Sequence, residues 1–222
     1  MPEVLLFNIE CHRFFEEPRN ALVPAVAAAV AVLSLWPHFA TPFAPVLAAT
    51  FAVMEPHYLN AWSLWPRQIE AFALRPLDWQ RAIMAGNLAT VALTMSVFAF
   101  FSCTVLFLHS GSIAGSTVIR AMLDCLVISV CMLLFGNTYS LLSPRAGVGW
   151  TFDDLAGVVM CMVIAGLWDL TLAVLTYLMG NYAGHAVLAA LCLPAWYLWS
   201  LPETAERLCH NIPELWTNVT QS

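Results

Sequence analysis

Apolar residues run through this chain in long blocks with short polar interruptions, and block length sets the expected elements. A helix needs about 20 apolar residues to cross the ~30 Å hydrocarbon core of a bilayer. The first block, Ala21 to Leu59, is almost uncharged and too long for one crossing. Pro37, Pro42 and Pro45 interrupt it, and proline breaks a helix by removing a donor and clashing with the previous turn. The block therefore divides into span one, about Ala21–Trp36, and span two, about Phe43–Tyr58. Span three is expected over about Ile83–Leu108, span four over Val118–Phe135 and span five over Leu155–Met179. Span six covers about His185–Leu201 and is stopped by Pro202. Polar turns rich in glycine and serine separate them: HSGSIAGST from His109, GNTYSLLSPRAGVGWTFDD from Gly136, and Gly180 to Gly184. The pattern predicts an all-α polytopic membrane protein with six transmembrane helices.

The flanks differ from the blocks. Residues 1–20 read as an interfacial helix: Val4, Leu5, Ile9, Phe14 and Phe15 can line an apolar side while Glu10, His12, Arg13, Glu16 and Glu17 stay wet. Its acidic residues, and the lack of a small-residue cleavage site after a short apolar core, argue against a secretory leader. The segment 202–222 is a polar tail in which Leu208, Ile212, Leu215 and Trp216 keep a weak helical spacing.

The most polar internal stretch is Asn60 to Asn87, NAWSLWPRQIEAFALRPLDWQRAIMAGN. It places Arg67, Glu70, Arg75, Asp78 and Arg81 among tryptophans and leucines, between two apolar blocks. A charged amphipathic element in that position belongs at a membrane face rather than in lipid. Glu70 is within helical reach of Arg67, and Asp78 can cap a helix that runs from Trp79 into span three. Such an element can be a coupling helix that docks on a soluble partner, or an ordinary cytoplasmic loop.

Composition agrees with the blocks. The chain is 61% hydrophobic and 10% charged, where soluble domains run near 45–50% apolar and about 25% charged. Among its 222 residues there is no lysine, so an ordinary phosphate-binding P-loop is excluded and any ATP hydrolysis has to occur on another subunit. Arginine placement sets the orientation. On a six-span layout Arg13, Arg19, Arg67, Arg75, Arg81, Arg145 and Arg207 share one side and only Arg120 faces the other, so both termini are expected in the cytoplasm. The seven cysteines are scattered without a CxxC pair and read as small buried hydrophobes.

Three acids fall in or near apolar blocks: Glu55, Asp124 and Asp169. An acid at mid-bilayer is costly unless paired or hydrated. They are candidates for a polar transport path or subunit interface, or are structural hydrogen-bonded acids. Asp124 stands one helical turn after Arg120 and can pair with it near the outer face. His38, His57, His109 and His185 sit near span ends, where a haem anchor would need two facing at one depth; they read as interfacial histidines. Trp36, Trp62, Trp65, Trp79, Trp150, Tyr177, Tyr182, Trp196 and Trp199 form the expected aromatic belts. No metal ligand set and no catalytic residue stand out.

Around the charged stretch the chain resembles the permeases of type-2 ABC exporters. The run IEAFALRPLDWQRAIMAGNLA is similar to the element that opens span three in that family, with Glu70, Leu74, Pro76, Leu77, Arg81, Ile83, Gly86 and Asn87 in matching places. The family's frequent lysine before the asparagine is absent. A second element after span four is matched by Gly136, Asn137, Ser140, Pro144 and Arg145. The likeness covers roughly Pro45 to Leu167, and the short connection between spans five and six departs from the polysaccharide and large-lipid branches. The resemblance implies a permease subunit in the cell membrane, paired with a second permease half and with separate ATPase subunits. Those subunits carry ATP and Mg, and this chain binds no cofactor itself. The charged stretch then couples to the ATPase. No nucleic-acid partner is expected. The alternative is a non-transporting anchor subunit of a redox or haem-handling complex.

Overall fold

A computed structural model of the chain describes residues 11–12, 14–15, 21–36, 41–59, 76–109, 112–142 and 195–210, with separate helical positions between 159 and 178. The described residues are helical or in turns, without a strand. Four long elements are α1 (Val23–Leu33), α2 (Ala44–Leu59), α3 (Pro76–Leu108) and α4 (Gly115–Leu142). A C-terminal helix occupies residues 195–210.

Local chemistry explains the boundaries. α1 is rich in alanine, the best helix former, and has proline in its first turn, where the missing N–H costs nothing. At its end the Ser34 amide donates to the Val30 carbonyl at 2.8 Å, and the Leu35 and Trp36 amides tighten to bonds with Val32 and Leu33. Pro37 follows and cannot continue the ladder. α2 carries Pro56 near its end and still continues to Leu59. α3 starts at Pro76, again a proline in a first turn.

Spans one to four of the sequence reading fall on α1 to α4, with three corrections. α3 begins at Pro76, so Asp78 lies inside the first turn instead of capping a helix that starts at Trp79. α4 continues to Leu142, so Gly136, Asn137 and Ser140 are helical and not in a polar loop. Pro202 does not end the last helix, which runs through it to residue 210.

The core lies where the four helices meet. α2 packs on α1, α3 and α4, while α3 packs on α1 and α4 as well. Leu93, Val97, Phe101 and Val105 form one stripe of α3, and Ala121, Cys125, Ile128 and Met132 one stripe of α4. Phe43, Phe51, Met54 and Tyr58 of α2 fill the space between them. Hydroxyls inside these apolar helices bond to their own backbone: Thr50 to Val46, Thr90 to Gly86, Thr94 to Thr90 and Ser129 to Cys125.

Among the described residues, two helical stretches are long and apolar enough to cross a membrane, Trp79–Leu108 and Gly115–Asn137. In their most apolar windows 39% and 44% of residues are buried in the chain, and the apolar surface left over agrees with a membrane location. α1 is equally apolar in character but shorter.

The N-terminal flank joins the core. Phe14 is buried and packs on the His57 ring at 5.6 Å between centroids, whereas Phe15 is 79% exposed. The two phenylalanines expected on one apolar side therefore part company, as neighbours on a helix must.

Candidate functional site: a buried polar seam along α2

The site is built on the last turns of α2. Glu55, His57 and Tyr58 are each at most 3% exposed. Pro56 stands between them without the amide hydrogen that would bond back into the helix. The Tyr58 hydroxyl lies 2.8 Å from Thr94 Oγ1 of α3. Thr94 already spends its one proton on the Thr90 carbonyl at 2.7 Å, so Tyr58 donates and Thr94 accepts.

The opposite wall is α4. A methyl group at Gly136 would sit 2.8 Å from the Tyr58 carbonyl carbon and closer still to its oxygen. Glycine is therefore required where the two backbones cross. Asn137 follows it and is also buried. The element read as a polar loop is thus a helix–helix crossing with a buried amide beside it.

Two further polar contacts fix helix ends. Asn87 Nδ2 of α3 donates to the Tyr197 hydroxyl of the C-terminal helix at 2.6 Å. Ser34, just past α1, meets His109 Nε2, just past α3, at 3.2 Å. Tyr58 and Gly136 meet late in α2 and α4 in the same way. The ends of α1 and α3 are joined by one contact and those of α2 and α4 by another, the arrangement of an up-and-down bundle.

Of the expected site residues, Glu55, Arg81 and Asp124 have described side chains. Glu55 belongs to the seam. Asp124 is buried on α4 beside Cys125, with Arg120 exposed one turn earlier. Arg81 is exposed near the start of α3. Asp78 is helical, but its side chain lies outside the described residues, as do Arg67, Glu70, Arg75 and Asp169. Trp79, expected in an aromatic belt, is 2% exposed inside the bundle, whereas Trp36, Tyr177, Trp196 and Trp199 are on the surface. Among the described residues, the Trp79 indole nitrogen and the Ser102 hydroxyl have no hydrogen-bond partner. Among the described residues no group of His, Cys, Asp or Glu is arranged to hold a metal ion.

Sequence reasoning did not single out Thr94 or Tyr197. The available signal was their polarity: a threonine and a tyrosine in long apolar helices need partners once buried. Which partner each finds depends on the crossing of helices far apart in sequence. Comparison with protein-family models, curated proteins and solved structures finds no match to this chain.

Proposed function

We propose that this chain is the membrane-spanning permease subunit of an ATP-driven exporter of the type-2 ABC class. It works as one half of a pair, with six spans, cytoplasmic termini and ATP hydrolysed on separate subunits. The observation that carries the proposal is the junction at the start of α3. In sequence the charged run Arg67, Glu70, Arg75, Asp78 and Arg81 ends within the first turns of a 33-residue helix. That helix is about 50 Å long at 1.5 Å per residue. It packs on α1, α2 and α4 along its core face. A push on the charged run therefore reaches a rigid element in contact with the rest of the bundle. This is the coupling a permease needs if closure of an ATPase dimer is to alternate access by rigid-body motion. Buried Glu55 and Asp124 are polar groups within the same bundle.

The test is purification of the chain in mild detergent with every accompanying subunit identified. A P-loop ATPase is expected to accompany it, and Arg75→Glu or Asp78→Arg is expected to release that ATPase while leaving the chain in the membrane. Recovery with a redox complex and no ATPase would overturn the proposal in favour of an anchor.

A further inference from the structure

α3 meets the C-terminal helix at the bond from Asn87 Nδ2 to the Tyr197 hydroxyl, 2.6 Å long. The exposed residues on either side of that bond set the direction of the second helix. From Asn87 toward Leu108, α3 exposes Leu88, Phe100 and Phe107 and carries no charge. After Tyr197 the C-terminal helix exposes Glu203, Glu206 and Arg207. Laid beside the apolar half of α3, those charges would face lipid at high cost. Laid toward Pro76, they come alongside Arg81, which is exposed on α3.

We propose that the C-terminal helix runs antiparallel to the start of α3, in the register set by Asn87 and Tyr197, and that the two leave the bilayer together as one rigid stalk for the charged run. Both helices rise about 1.5 Å per residue. Equal steps from the bond therefore bring Leu201 level with Ile83, Glu203 with Arg81 and Ala205 with Trp79. Trp79, Ile83, Leu201 and Ala205 are all buried, yet none belongs to the core cluster that α1 to α4 build. A second apolar seam between the two helices accounts for their burial, with a small alanine at the level of the large indole.

The water boundary supports the same register. On α3 the exposed side changes from Met84 to Arg81, and on the C-terminal helix from Trp199 to Glu203. In the antiparallel register these two changes coincide. Trp196 and Trp199 stand on the apolar side of the change, the place of interfacial aromatics. From Glu203 to residue 210 the helix rises about 10 Å further. The first turn of a lone helix frays. A packed partner holds it, so a push at Arg75 or Asp78 moves α3 instead of unwinding its end.

The source of that push rests on the permease reading, whereas the stalk needs only a membrane location. The test joins Ile83→Cys to Leu201→Cys, and separately Trp79→Cys to Ala205→Cys, in the full chain in native membranes. A short thiol-reactive linker that dithiothreitol removes is used, with each single variant as control, and linked peptides are read by mass spectrometry. Both pairs are expected to link, and the shifted pair Ile83→Cys with Leu208→Cys is not. Arg81→Cys and Glu203→Cys are expected to react with a water-soluble maleimide in permeabilised cells, unlike Met84→Cys and Trp199→Cys. Linking only in the shifted pair, no linking in any pair, or labelling at a different level on the two helices overturns the stalk. With the ATPase bound, ATP turnover of the linked Ile83–Leu201 form is expected to stay within about twofold of the same sample after reduction, because parts that move as one body lose nothing when joined. A loss of turnover that reduction restores means that the helices slide, and overturns the rigid unit. If no ATPase accompanies the chain, the permease reading fails, and linking and labelling still decide the stalk.

Discussion

Gly136 stands where no side chain fits. Its helix touches α2 backbone to backbone, and the space for a side chain is already occupied by the Tyr58 carbonyl. Gly136→Ala is expected to destabilise the chain by about 1–3 kcal/mol, the usual range for overpacking a tight contact. Gly115→Ala, at a glycine with nothing within 4 Å, is expected to stay within about 0.5 kcal/mol of the parent, as surface substitutions do. Thermal unfolding of both variants in detergent separates the two outcomes, and equal shifts would refute the crossing. At this scale the sequence was legible in type only. Glu55 and Asp124 were visible as acids in apolar blocks, and both are buried. The demand for glycine at 136 was not visible, because a turn glycine and a crossing glycine look alike until the partner helix is known.

Elements were more legible than contacts. Proline and apolar length located α1 and α2 to within a few residues, because both signals act through the local backbone. Helix ends that depend on packing were misplaced. α4 runs past Gly136 because α2 supplies a surface there, and the C-terminal helix passes through Pro202. That last helix buries Leu201, Ala205 and Leu208 at i, i+4 and i+7, while Glu203 and Arg207 pair on its outer side at 2.6 Å. Leu208→Ala is expected to loosen it by about 2–5 kcal/mol, as a cavity at a fully buried leucine does. Glu203→Gln removes only a surface pair and is expected to change stability by less than about 1 kcal/mol. Proteolysis of the C-terminal region under native conditions reads the difference. Equal sensitivity would mean that the buried face does not hold this helix.

For the molecule as a whole, the contacts sort helix ends into two groups. Ser34 and His109 lie at one end of the bundle, and Tyr58 and Gly136 join α2 to α4 at theirs. On the orientation expected from the arginine bias, the first group would lie outside the cell and the C-terminal helix inside. Ser112 is exposed in the turn after His109. Ser112→Cys is therefore expected to gain labelling by a membrane-impermeant maleimide on intact cells, with Cys209 reacting only after permeabilisation. The opposite pattern would invert the topology. The crossing at Gly136 also has an evolutionary consequence. Its neighbour is a main-chain oxygen, and no exchange of side chain at position 58 can move that oxygen aside. Drift at position 136 thus has no compensating partner one substitution away, and descendants of this chain should hold glycine there whatever side chain stands at 58.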